Sequence, residues 1–269
     1  MYSITCKRYQ FKEAKKVLPF QRREHILEKV KQETSYISDL ANELDVSEVT
    51  VRRDIKNLEK ENLVQIHHGG AVQFINTEVE TGMDIREQIF NSEKDQIGRY
   101  AASLVNDGDL IFIDSGTTTK AMINYLKDKK DVVLVTNGFK NMEIGIMNDM
   151  KNLILLGGEF WSGTYSFLGS ITEDELKLFH FDKSFIGVNG VDKTVGLTNA
   201  NINESSLKKK AIQQSEITYT LVDHSKFNKK SKYFFASINE TTIITNNMEK
   251  GYEELKNVIA VNNATKEGN

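Results

Sequence analysis

Residues 37–60, ISDLANELDVSEVTVRRDIKNLEK, constrain this chain more than any other stretch, because their apolar spacing writes two short helices joined by a tight corner. Ile37, Leu40, Ala41 and Leu44 recur at i, i+3, i+4 and i+7, one buried face of a helix. Asp45 and Val46 break that phase. Ser47 stands where an N-cap belongs, its hydroxyl able to accept from the free N–H groups of the next turn. Val51, Ile55 and Leu58 form the next buried stripe, which leaves Ser47, Glu48, Thr50, Arg52, Arg53 and Lys56 largely outside. Two adjacent arginines near the start of an exposed second helix suit major-groove reading, since guanidinium forks match guanine O6 and N7 or phosphate oxygens. An αα-hairpin with a solvated charged face has the same periodicity.

The next dozen residues favour the helix-turn-helix. Residues 63–66 and 71–74 are short alternating strands around His67-His68-Gly69-Gly70, a turn cluster, so two helices run into a β-ribbon in the order of a winged helix-turn-helix. Gln21 to Val30, with Ile26, Leu27 and Val30 on one side, reads as the preceding helix. The net charge of −3 argues mildly against nucleic acid, and between Pro19 and Asn62 carboxylates outnumber Lys and Arg. A specific binder needs cations only where it meets phosphate, and here they cluster at Arg22-Arg23, Arg52-Arg53, Lys56 and Lys60. His68 would sit in the wing.

At 269 residues the chain fits two domains. One cysteine, Cys6, leaves no intrachain disulfide and no cysteine-based zinc site, and the histidines show no metal spacing. No apolar run approaches the ~18 residues of a membrane span. A cytoplasmic protein without cofactor, metal or membrane partner is expected. Residues 19–75 are the predicted reading head and 76–91 a linker, polar and aperiodic in its first part. From Ser92 helices alternate with apolar strands at 110–113, 132–135, 153–156, 183–188, 217–222 and 242–245. Such alternation implies a mostly parallel sheet with helices on both faces, over residues 92–247. Residues 248–269 read as a C-terminal helix and tail.

In open α/β sheets ligands sit beyond the carboxyl ends of the strands. After Ile113 comes Asp114-Ser115-Gly116-Thr117-Thr118-Thr119, opening directly into a helix. Gly116 permits close backbone approach, and the hydroxyls and N–H groups of Thr117, Thr118 and Thr119 would make an anion nest. A Gly turn followed by a Thr cap is the plainer alternative. Asn137-Gly138, Gly157-Gly158, Asn189-Gly190 and Asp223-His224-Ser225-Lys226 follow other strands, with Lys226 supplying a cation at the same edge. Together they describe a site for a small, polyhydroxylated, anionic molecule. Glu204 and Lys208 stand at i, i+4 on a helix, which suits a pocket and a surface ion pair equally. Asp182 and Lys183 either belong to the pocket or merely begin a strand.

The chain resembles the DeoR family of bacterial transcriptional regulators. The resemblance rests on Arg22-Arg23, Val46-Ser47, Thr50-Val51-Arg52-Arg53-Asp54 and His68-Gly69-Gly70-Ala71 in the first part. In the second it rests on Asp114-x-Gly116-Thr117-Thr118, Thr136-Asn137, Gly157-Gly158, Asp182-Lys183 with Phe185, Asn189-Gly190, Glu204 with Lys208, and Asp223 through Phe227. It runs from about Pro19 to Asn246. It implies a sensor domain with the fold of ribose-5-phosphate isomerase, binding phosphorylated sugars that modulate affinity for double-stranded operator DNA. By the same analogy Asp114, Gly116, Thr117 and Thr118 cradle phosphate. Asn137, Asp182, Asn189, Glu204, Lys208 and Lys226 become candidates for sugar hydroxyls, phosphate charge or pocket support. The family's usual start corresponds to about Leu18, so residues 1–18 are either a start-site artefact or a genuine basic arm. A homo-oligomeric repressor of a carbohydrate operon is expected. A sugar-phosphate isomerase with an accessory DNA-binding head is the alternative, and a constitutive DNA-binding or scaffolding protein with a vestigial pocket a third.

Overall fold

Helix α1 (Pro19–Gln32) buries Ile26, Leu27 and Val30, as their spacing requires. The computed structural model describes residues 19–60, 64–74, 83, 86 and 90–264. The expected extension over 1–18, most of the linker over 76–91 and the last residues of the tail lie outside these. The chain separates into two compact units, Met1–Val79 and Glu80–Asn269.

In the first unit, strand β1 (Ser35–Tyr36) leads into α2 (Ile37–Glu43) and then α3 (Glu48–Lys60). Between the two helices Asp45 adopts φ 51°, a left-handed conformation that Asp tolerates better than most residues, and this turns the corner. Ser47 Oγ accepts from the Thr50 amide at 3.3 Å, the predicted cap. Strands β2 (Val64–Ile66) and β3 (Ala71–Phe74) form the wing. The turn between them takes Gly69 and Gly70 to φ 84° and 79°, where a side chain would be strained. β1 joins the far side of β3, giving the antiparallel order β1-β3-β2. Two polar residues carry no periodicity, so this third strand is invisible in the sequence.

The second unit starts with α4 (Asn91–Ser103), then β4 (Leu110–Ile113), α5 (Thr117–Met122), β5 (Val133–Thr136), α6 (Phe139–Met147) and β6 (Asn152–Leu155). A hairpin, β7 (Glu159–Trp161) and β8 (Ser166–Leu168), precedes α7 (Ser170–Leu176) and the long strand β9 (Phe181–Gly187). β10 (Gly190–Asp192) and β11 (Gly196–Asn199) lead to α8 (Ile202–Gln213), β12 (Ser215–Val222), β13 (Tyr233–Ala236) and β14 (Thr242–Thr245). β15 (Val258–Ala260) and α9 (Val261–Ala264) close the described chain.

Seven of these strands make one sheet, ordered β15-β14-β12-β9-β4-β5-β6, and every neighbouring pair in it is parallel. Alternate residues of β4 face opposite cores. Ile111 and Ile113 pack with Ile97 and Ala101 of α4 and Met122 of α5, while Phe112 packs with Leu207 and Ala211 of α8 and Val191 and Leu197 of the small β10-β11-β13 sheet. One face is thus covered by helices and the other by helices plus a second small sheet. The C-terminal expectation needs correction: after 248 the chain forms turns and then β15, which pairs with β14, before the four-residue α9. A three-residue strand supported only by its neighbour is too short to register as a periodic signal.

Chain order fixes where a ligand can sit. From β4 the chain builds outward through β5 to β6, then returns to β9 on the other side of β4 and builds outward again. The reversal lies between β4 and β9, and open α/β sheets bind ligands beyond the strand ends at that point.

Candidate functional site

In the first unit Glu48, Arg52 and Lys56 follow one another at i, i+4 and i+8 along α3, a single exposed ridge with Arg53 also exposed. Ser47 and His68 are exposed as well, and Thr50 and Arg23 half-buried. Arg52 Nη2 lies 3.4 Å from Glu48 Oε2, with both side chains about half exposed. Such an exposed pair contributes about 0.3–0.5 kcal/mol, so Arg52 is easily released from it. Arg22 departs from the expectation of a DNA contact. Its side chain is only 10% exposed, and its Nε donates to Asp54 Oδ2 at 2.8 Å. It ties α1 to α3 from inside, because α1 turns the face carrying Ile26 and Val30, and Arg22 with them, toward α3.

In the second unit the reversal point is built around Asp114. Its Oδ1 accepts from the Gly116 amide at 3.0 Å and from Thr119 Oγ1 at 2.6 Å. Its Oδ2 accepts from the Gly187 amide at 2.8 Å and pairs with Lys208 Nζ at 2.9 Å. Burial by itself would raise the Asp114 pKa, but the Lys208 ammonium, the Thr119 hydroxyl and the Gly187 amide outweigh it and hold the carboxyl below its ordinary value. Both oxygens are thus engaged by protein donors, so Asp114 clamps the end of β4 to the end of β9 rather than offering free oxygens. Thr119 shares that task, its hydroxyl also reaching the carbonyls of Asp114 and Gly116.

The clamp shapes the loop above it. The first amides of α5, those of Thr117, Thr118 and Thr119, have no intrahelical acceptor by the geometry of a helix start. Ser115 and Thr118 are buried, while Gly116 and Thr117 are half-buried. Lys208 spends a second proton on the Gly187 carbonyl at 2.9 Å.

The neighbouring loops close in from one side. A Cβ on Gly138 would lie 3.1 Å from Ser115 Cα, so the loop after β5 touches the loop after β4 directly. Asn137 donates through Nδ2 to the Phe167 carbonyl at 3.1 Å, and its buried Oδ1 has no partner among the described residues. Asn141, on the first turn of α6, donates to the Asp114 carbonyl at 2.7 Å. The β7–β8 hairpin packs over this edge through a bridge between Gly138 and Ser166. Ser166 meets Thr164, whose hydroxyl donates to Glu204 Oε1 at 3.0 Å, and Asn199 holds the other Glu204 oxygen. Glu204 and Lys208 are therefore both buried on the inner side of α8, and the ion pair Lys208 makes is with Asp114. Asn189 Oδ1 accepts from the Ala200 amide at 3.1 Å. Lys226 lies in the turn after β12, a strand two places from β4 in the sheet order and so about 9–10 Å from it across the sheet.

Asp182 is not at this edge. Its Oδ2 accepts from the Leu110 amide at 2.7 Å, at the amino ends of β9 and β4. Five residues of strand separate it from Gly187, roughly 16 Å. Lys183 beside it forms a buried pair with Asp109 at 2.6 Å. Both begin a strand and pin its start. Sequence reasoning missed Gly187, Asn141, Thr164 and Asn199. Gly187 alone left a signal, a glycine ending an apolar strand. Asn141 and Thr164 matter through partners distant in the chain, and Asn199 through Glu204 five residues on, once the turn into α8 brings them together.

Two family models match. The DeoR-like helix-turn-helix domain covers residues 22–77, and the DeoR C-terminal sensor domain covers residues 90–247. The chain is 37% identical over 229 residues to an uncharacterized HTH-type transcriptional regulator, FruR, of Bacillus subtilis, spanning 84% of this chain and 90% of that one. It is 32% identical to the glycerol-3-phosphate regulon repressor of Escherichia coli over 81% of this chain and 86% of the other. With the transcriptional repressor GlcR of Bacillus subtilis it shares 33% identity over 75% and 77%. Among solved structures, ribose 5-phosphate isomerase A of Methanocaldococcus jannaschii is 20% identical with a TM-score of 0.38, covering 51% of this chain and 54% of that chain.

Proposed function

The chain belongs to the DeoR family of transcriptional regulators, and from that premise we propose that it represses a carbohydrate-metabolism operon and that a phosphorylated sugar at the Asp114–Lys208 clamp alters its hold on the operator. It is a DNA-binding regulator and not an enzyme, like the relatives it matches. Its place of action is the bacterial cytoplasm, where the operator is, and no helix among the described residues is long and apolar enough to cross a membrane.

The observation that carries the effector reading is the clamp at the sheet's reversal point. It fixes Ser115–Thr119 with helix-start amides at its rim and a buried ammonium, Lys208, with one proton beyond its two protein partners. The phosphate takes those amides, the Thr117 and Thr118 hydroxyls and the Lys208 and Lys226 charges. Asn137, through its orphaned Oδ1, and Asn189 take sugar hydroxyls, while Gly116 lets the backbone approach the ligand. Asp114, Thr119 and Glu204 support the pocket from within. Arg52, Arg53 and Lys56 face the duplex, with Ser47, Glu48 and Thr50 beside them and Arg23 and His68 at the flanks. A homo-oligomer places two such helices on half-sites about 34–36 Å apart.

Two measurements test this reading. A thermal-shift screen against glucose 6-phosphate, fructose 1-phosphate, glycerol 3-phosphate and their unphosphorylated counterparts should stabilise the second unit only with phosphorylated compounds; equal response to the free sugars overturns it. Selection from random duplexes should return an inverted repeat, and Arg52→Ala or Arg53→Ala should cost about 1–3 kcal/mol at specific positions if that residue reads a base. Selected sequences without any common element overturn the DNA assignment.

A further inference from the structure

Phe90 and Lys94 have no part in the effector reading, yet Phe90 touches the loop that carries Lys226. Phe90, just before α4, has φ 55° and ψ 40°, a left-handed conformation that a bulky residue adopts only where its surroundings hold it. Its ring is buried and stands edge-on to His224, with centroids 4.8 Å apart and planes 73° apart. One turn into α4, Lys94 is buried too. Its Nζ donates to the Arg86 carbonyl. The ring contact therefore links Phe90, just before α4, to the loop Asp223–Lys226. On its other side that loop is held by Asn246, which follows β14. Asn246 Oδ1 accepts from the His224 amide at 2.9 Å, and its Nδ2 meets His224 Nδ1 at 3.1 Å.

We propose that Phe90 is a positioning residue that carries the occupancy of the effector site from the Asp223–Lys226 loop to the start of α4. The inference rests on the effector reading, which assigns Lys226 to the anion. His224 and Lys226 share one short turn, in which the Lys226 amide donates to the Asp223 carbonyl at 3.1 Å and Ser225 donates to the Asp223 carboxylate through both its amide and its hydroxyl. A phosphate that engages Lys226 therefore shifts the turn that carries His224. The Phe90–His224 contact makes the two segments shift together, since neither ring can move without opening a void beside the other.

Hydrogen–deuterium exchange on the full chain, with and without saturating inorganic phosphate, tests this. In the wild type, phosphate should slow exchange at residues 114–119 and 223–227 and also change it at 90–98. In Phe90→Ala, and separately in His224→Ala, the first two effects should remain and the third should vanish, while Phe90→Tyr, which keeps the ring edge, should restore it. His224 is half-buried, so its variant carries the test if Phe90→Ala fails to fold. Persistence of the change at 90–98 in the ring-deletion variants overturns the coupling. So does protection of 114–119 in the wild type with no response at 90–98. Absence of any phosphate effect at 114–119 overturns the effector reading itself and this inference with it.

Discussion

Asp114 and Lys208 show how much a single buried pair can organise. Their Oδ2–Nζ contact of 2.9 Å joins the end of β4 to the inner face of α8, with both side chains almost wholly covered. Removing one partner strands the other charge, which costs about 3–5 kcal/mol in buried pairs. Lys208→Met should therefore lower the denaturant midpoint sharply, and Asp114→Asn in the same chain should recover part of the loss; additive losses would mean the two groups do not depend on each other. Acid probes the pair without mutation. Because the Asp114 pKa is depressed in the native state, its contribution is complete above the unfolded carboxylate value of about 3.9 and disappears as pH falls through the native one. Stability should be flat in this respect above about pH 5 and decline below, and Asp114→Asn should remove that part of the decline. An unchanged acid slope in the variant would show that other carboxylates dominate. Arg22 makes a parallel point in the first unit, where a cation expected on the surface pairs with Asp54 inside.

At the level of elements, the position of the loop proposed to hold the effector depends on helix contact as much as on its own residues. α4 and α5 approach so closely at Gly98 that an added Cβ would lie 2.8 Å from the Ala121 carbonyl carbon and the Met122 nitrogen. Both are backbone atoms, so the helix has to move. Gly98→Ala should cost about 1–3 kcal/mol, as overpacking does, and should weaken phosphate binding because α5 carries Thr117–Thr119. Full-strength binding in a destabilised variant would show that the loop keeps its geometry independently of α5. Strand alternation predicted this layer well where runs were long and apolar, as at β4, β5 and β14. The β7–β8 hairpin, the β10-β11-β13 sheet and β15 escaped, since short or mixed strands acquire their identity from the partner they pair with.

For the molecule as a whole, regulation requires that a ligand distinguish DNA-competent from incompetent arrangements, and couplings of this kind are typically ~1–3 kcal/mol. Gly116 tests the proposed effector half of that coupling. A Cβ there would sit 3.0 Å from both Asp114 Oδ1 and Thr119 Oγ1, tightening a clamp with no slack. Gly116→Val should retain operator binding by the first unit and lose the response to phosphorylated sugars, as measured by operator affinity with and without them. Undiminished response in that variant would place the effector elsewhere.

The local grammar of this chain was sufficient for the two helices around Asp45, the Ser47 cap, the glycine turn of the wing and the central parallel strands, because each follows from interactions within a few residues. The same grammar brought Gly116 and the Thr117–Thr119 run to a strand's carboxyl end. Tertiary structure alone decided that Lys208 faces Asp114, that Asp182 lies at the opposite edge and that Arg22 turns inward. Those outcomes depend on which elements become neighbours, a choice made by chain reversal and core packing over separations of 32 to 94 residues, as for Arg22 with Asp54 and Asp114 with Lys208. Charge and spacing are local properties; burial and partnership are not.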